Sequence, residues 1–143
     1  MTTLKSALLD SSTRPSVVSD LNQLVDTEVD KKGIAIKSSY GLVKKIKPGI
    51  IEAAIDSLLD DFVERLEPFY AEYAQSGGGA FGEYLASRAD EVSDAMLSVT
   101  DARAEKSQRE TIKKVYNKLR PQGKKNVEEA LPALGTVIEK YTS

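Results

Sequence analysis

Apolar residues recur at three- and four-residue spacings almost from end to end of this chain, and no run sustains the period-two alternation of a half-buried strand. Leu4, Ala7 and Leu8 predict a short opening turn. Ser12 or Thr13 followed by Pro15 predicts a helix start, with a hydroxyl to cap it and proline in its first turn. Val17, Val18, Leu21, Leu24, Val25 and Val29 then make one stripe, and Gly33 predicts a stop near Lys32 in the left-handed conformation. Ile36, Tyr40, Val43 and Ile46 form the next stripe, which Pro48 and Gly49 punctuate.

The strongest amphipathic pattern follows. Ile51, Ala54, Ile55, Leu58, Leu59, Phe62, Val63 and Leu66 recur on one side, with Glu52, Asp56, Asp60, Asp61 and Glu64 on the other. Pro68 predicts a kink or an interruption. Ser76-Gly77-Gly78-Gly79 reads as a flexible turn, because three glycines make continued helix costly by about 1 kcal/mol each. Beyond it Phe81, Tyr84, Leu85, Ala89, Val92, Ala95, Met96, Val99 and Ala102 predict one helix of about six turns, the longest of the protein. Ser107 and Glu110 match a capping box ahead of Ile112, Val115, Tyr116 and Leu119. Arg120-Pro121-Gln122-Gly123 reads as a turn. Val127, Ala130, Leu131, Leu134, Val137, Ile138 and Tyr141 predict a final helix, with Pro132 as a kink or a broken start.

These stripes are wider than a coiled-coil seam. They predict an all-α, single-domain globular bundle of six to eight helices, some kinked at proline, over residues 1–143, with the glycine-rich turn at 76–79 between two halves. The length of 143 residues and a hydrophobic fraction of 41% suit one core that needs neither disulfide nor metal.

The absences narrow the chemistry. With no His and no Cys, the chain cannot form a Ser-His-Asp triad, a cysteine nucleophile, a Cys-ligated cluster or a His-based zinc site. An active site would have to run on carboxylates, Lys, Tyr, Ser or Thr, so the expectation is a non-enzyme with no cofactor and no metal. The opening MTTLKSALLDSSTRP has an apolar run of only three residues, Ala7 to Leu9, and lacks the uninterrupted hydrophobic core of a secretory signal. No stretch reaches the roughly 20 apolar residues of a membrane span. Together with the lack of cysteine, this predicts a cytoplasmic protein.

Charge is segregated although the total is only -2. Residues 31–47 carry a local +6, residues 48–72 a local -6, and residues 103–125 a local +7. Lys37, Lys44, Lys45, Lys113, Lys114 and Arg120 are therefore candidate anion-binding residues, provided that the two basic segments share a face. The competing expectation is neutralisation by neighbouring acidic helices. A pI near 5.3 and the lack of an aromatic-rich RNA-binding signature favour that reading over nucleic-acid binding.

Asp56, Asp60, Asp61 and Glu64 lie at helical spacings that bring carboxylates together. The apolar residues between them claim the inner face, so the acids are expected to face water. The Gly77–Gly79 run lacks both the Lys-Ser or Lys-Thr and the preceding strand of a phosphate cradle. Tyr70, Tyr73, Phe81 and Tyr84 flank it and are candidate pocket residues, with a packed aromatic core as the alternative.

Several stretches carry a resemblance: Lys44-Lys45-Ile46-Lys47-Pro48-Gly49, Leu58-Leu59-Asp60-Asp61-Phe62 with Leu66-Glu67-Pro68-Phe69, Gly77-Gly78-Gly79-Ala80-Phe81-Gly82-Glu83-Tyr84-Leu85, and Ala130-Leu131-Pro132-Ala133-Leu134. Over most of its length the chain resembles a family of small all-helical bacterial proteins of unknown function, mainly actinobacterial. The resemblance implies a helical fold and a bacterial cytoplasmic setting and transfers no catalytic residue. The leading expectation is a non-enzymatic protein acting through protein–protein contact, self-association being one form of it. The alternative is a module for an anionic partner, a nucleic acid or an anionic surface, bound through the Lys- and Arg-rich segments.

Overall fold

A computed structural model describes residues 3–142; the expected domain span of 1–143 exceeds it only at Met1, Thr2 and Ser143, which lie outside the described residues. Within it the chain forms seven α-helices and no strand: α1 (Leu4–Leu8), α2 (Arg14–Asp30), α3 (Ile34–Ile46), α4 (Ile50–Ser76), α5 (Phe81–Ser87), α6 (Ala89–Glu105) and α7 (Glu110–Thr142).

Local chemistry explains most boundaries. Thr3 and Ser6 close a capping box on α1, and Glu67 of α4 accepts the backbone N–H groups of Leu4 and Lys5 at 3.0 and 3.1 Å. An anion thus sits on that helix's exposed donors. Pro15 lies in the first turn of α2 as expected, but the Thr13 hydroxyl caps nothing there and donates to the Ala7 carbonyl at 2.9 Å. Gly33 is extended, with φ -68° and ψ 166°, and begins α3; the left-handed turn expected there does not form. Left-handed glycines stand instead at the two ends of α4, Gly49 with φ 81° and Gly77 with φ 90°.

Proline breaks none of the helices. α4 runs 27 residues through Pro68, and α7 runs 33 residues through Pro121 and Pro132, so residues 120–123 are helix and not a turn. Each internal proline removes one backbone hydrogen bond. On α7 that loss is offset by burial of Leu131, Leu134 and Ile138, and by contacts that hold α7 to α6 on both sides of Pro121: Arg120 to Asp101, and Lys124 to Asp90 and Asp94. α7, about 50 Å long at 1.5 Å per residue, is the longest helix. The helix expected across residues 81–102 is two, broken at Arg88, where φ -121° and ψ 33° leave the helical region. Leu85, Val92 and Val99 keep seven-residue spacing across this break, so the apolar stripe carries no trace of it. The capping box at Ser107 does not form either. α7 starts at Glu110, and the Ser107 hydroxyl accepts the Arg109 N–H at 3.3 Å.

The core gathers Leu4, Leu8, Val17, Leu59, Val63, Leu66, Phe81, Leu85, Val92, Leu131 and Ile138 from α1, α2, α4, α5, α6 and α7. Its closest approach is between α5 and α7. A Cβ on Gly135 would lie 2.2 Å from the Gly82 backbone, and one on Gly82 would lie 2.5 Å from the Pro132 carbonyl oxygen. Two glycines therefore let these backbones touch.

Candidate functional site

The stripes of α2, α4 and α7 meet around a cavity of about 390 Å³. Leu21, Leu24, Val25, Leu58, Phe62, Val63, Leu131 and Leu134 line it, with Leu8 from α1, Met96 from α6 and Ile36 from α3. α2 and α7 run antiparallel beside it, since Asp20 meets Lys140 and Tyr141 while Lys32 meets Glu129. Its polar lining, Glu28, Lys32 and Asn126, belongs to the Lys32–Glu129 end. There the Lys32 side chain is 15% exposed and that of Glu129 54%. Lys32 holds the Glu129 carboxyl below the usual carboxylate range, with Lys125 and Lys31 adding to the field. Glu28 accepts from Lys31 at 2.8 Å.

The candidate cations divide between two places. Lys37, Lys44 and Lys45 lie on α3, which packs on α2 and α4. Lys113, Lys114 and Arg120 lie on the first half of α7, where Thr100 bonds to Tyr116 and Asp101 to Arg120, fixing this half to α6. Arg120 grips Asp101 through two bonds of 2.8 and 2.9 Å, and Tyr116 also donates to this carboxylate. The Arg120 guanidinium, then the Tyr116 hydroxyl, hold the Asp101 carboxyl down. Lys44 donates to Asp26 at 2.9 Å beside the Tyr40 hydroxyl at 2.6 Å. These bonds, Tyr40's first, lower the Asp26 carboxyl, while burial and then that carboxylate push the Tyr40 phenol up. Lys113 stands 3.8 Å from Glu110. Lys37, Lys45 and Lys114 have no acidic partner among the described residues.

Neutralisation thus draws chiefly on Asp26, Glu28, Asp90, Asp94, Asp101 and Glu129. The acidic face of α4 serves Arg14 and Arg88 and, from the second basic segment, Arg103. Asp56 and Asp60 share Arg14 at 2.9 and 3.1 Å, Asp61 lies 3.6 Å from Arg103, and Glu72 takes Arg88. Among the described residues no group of three or more acids is placed to hold a metal ion.

Tyr70, Tyr73, Phe81 and Tyr84 come together, with ring centroids 4.9–6.3 Å apart. They pack on one another, Phe81 fully buried, and two of the three hydroxyls are engaged: Tyr73 donates to the Gly79 carbonyl at 2.5 Å and Tyr84 to Glu72 at 2.8 Å. Arg88 lies over the Phe69 and Tyr84 rings, 5.4 and 5.8 Å from their centroids. The cluster buttresses the glycine turn, and its aromatics contact one another where a pocket would need open space.

Large apolar residues are left uncovered in two places. On α3 these are Ile34 (83% exposed), Ile36, Leu42, Val43 and Ile46 (76%), and on α7 they are Ile112, Val115 and Leu119. α3 buries none of its residues. Its Tyr40 and Lys44 turn to Asp26 of α2 and Ile36 reaches the cavity. Leu42, Lys45 and Ile46, within an arc of about 100° at 3.6 residues per turn, therefore form the outward side.

Residues 4–142 match a family described as of unknown function, DUF6918. The chain is a member of that family. No curated protein and no solved structure matches it. Among the described residues of this DUF6918 chain no helix is long and apolar enough to cross a membrane. Sequence reading missed both the cavity and the outward face of α3. The cavity had a trace in stripes broad enough to enclose a space, on three helices. The α3 face has the pattern of any core stripe, because periodicity does not say whether a partner element covers it.

Proposed function

We propose that the protein is a non-enzymatic binding module that docks another protein through α3. One observation carries this reading: Leu42 and Ile46 stand in water beside Lys45, on a helix none of whose side chains is buried. An exposed apolar patch of this kind marks an interaction surface. The lysine selects the partner's chemistry, namely an amphipathic helix with apolar anchors and acidic flanks. A second copy of this face would bring Lys45 against its own kind, so a different protein fits better than a symmetric pair. A bacterial cytoplasmic setting, which the family resemblance implies, accords with this role. The alternative, a nucleic acid or an anionic surface bound through the Lys- and Arg-rich segments, is a different reading, which the test below separates.

The test is affinity capture from a nuclease-treated native lysate, followed by quantitative mass spectrometry, with the wild type beside a Leu42→Asp/Ile46→Asp variant. A discrete protein held by the wild type and lost by the variant is the expected result. Equal recovery from both baits overturns the reading, as does capture in an untreated lysate of material that the nuclease-treated one no longer yields.

A further inference from the structure

The cavity between α2, α4 and α7 is independent of the docking face and carries its own chemistry. From Val17 to Lys32 it follows α2 for about 22 Å at 1.5 Å per residue. One acyl chain spans about 15 Å, half of the roughly 30 Å bilayer core. An apolar cavity of about 150 Å³ takes up a benzene ring, so in proportion about 390 Å³ admits a chain of roughly 15 carbons. The lining surface is almost wholly apolar, since Glu28, Lys32 and Asn126 reach it mainly through carbon. The occupant is therefore one long apolar chain, any polar end of which has to stand outside that lining.

Charge at the Lys32–Glu129 end sets the sign of that polar end. Lys32 is held largely out of water, whereas its partner Glu129 is mostly in it. Such a half-exposed pair is weak, so an incoming carboxylate can take the ammonium while Glu129 swings into solvent. Lys125 adds to the positive field there, as does Lys31, which also neutralises the Glu28 carboxylate at this end. We infer that the cavity binds one long-chain carboxylate, with its tail among Leu24, Leu58, Phe62 and Leu131 and its head on Lys32.

The experiment uses the full chain, stripped of lipid on a hydrophobic resin, with a dansyl-labelled fatty acid as the reporter. Hexadecanoate should displace the reporter at one equivalent. Ala130→Phe, which puts a ring into the cavity, should weaken the reporter at least tenfold, with circular dichroism checking that the helices persist. Lys32→Met should weaken hexadecanoate about tenfold, the value of a lost charge-assisted hydrogen bond, and leave hexadecanol unchanged. Absence of displacement, or wild-type affinity in a folded Ala130→Phe, overturns the site. If Ala130→Phe does not fold, the Lys32 arm decides: an equal effect on acid and alcohol, or none on either, overturns the inference.

Discussion

At the scale of single residues, the fold depends most sharply on two glycines. The α5–α7 crossing leaves no room for a Cβ at Gly82 or Gly135, and the atoms in the way belong to the backbone, which cannot swing aside as a side chain can. Gly135→Ala should therefore destabilise the protein by about 3 kcal/mol, the upper part of the usual range for overpacking. Urea denaturation checks this, with Gly123→Ala as the control, because a Cβ at Gly123 meets nothing within 4 Å and removing a mid-helix glycine should stabilise. Nothing in the sequence separates Gly82 and Gly135 from the other glycines, since a close approach is a property of two distant segments. Phe81 and Leu131, by contrast, were legible as core because each sits on an apolar stripe.

Among the elements, the sequence states where helices lie better than where they stop. Ser76-Gly77-Gly78-Gly79 ends α4 as expected, because three successive positive φ values suit glycine and few other residues. Pro121 misleads, since the local penalty it signals is offset by the packing of α7 on α5 and α6, ion pairs included, which only the fold assembles. Because Pro121 lies inside α7, Pro121→Ala should restore a backbone hydrogen bond and raise stability by about 1–2 kcal/mol, part of the gain being offset by the looser unfolded chain. Thermal denaturation measures this. A turn at 120–123 would instead give no gain or a loss. The candidate cations follow the same logic: Arg120 was legible as a charge, but its capture by Asp101 was not, because the two residues lie nineteen positions apart.

For the whole molecule, ion pairs that join distant helices make stability depend on pH at both extremes. Tyr141 and Lys140 hold the Asp20 carboxyl low, Tyr40 and Lys44 do so for Asp26, and Arg120 and Tyr116 for Asp101. A carboxyl that is more acidic folded than unfolded stabilises the fold above its unfolded value and loses that contribution as pH falls through its folded one. Stability should thus be flat near neutrality and fall below about pH 4. At the alkaline end the sign reverses. Burial, then Asp20, push the Tyr141 phenol up to about 12. Its contribution is complete below the ordinary phenol value near pH 10 and disappears as pH rises through the folded one. Denaturation midpoints across the pH range check both limbs. Tyr141→Phe should flatten the alkaline one.

Whether the outward side of α3 docks a protein is decided by site-specific photocross-linking in living cells. A benzophenone amino acid in place of Leu42 should give one discrete protein adduct on irradiation. The same group in place of exposed Glu83 on α5 should give none. An adduct at Leu42 that vanishes when Lys45 is changed to Glu would match the acidic partner proposed for this face. No protein adduct at Leu42, or the same adducts from both positions, would contradict a docking role for α3.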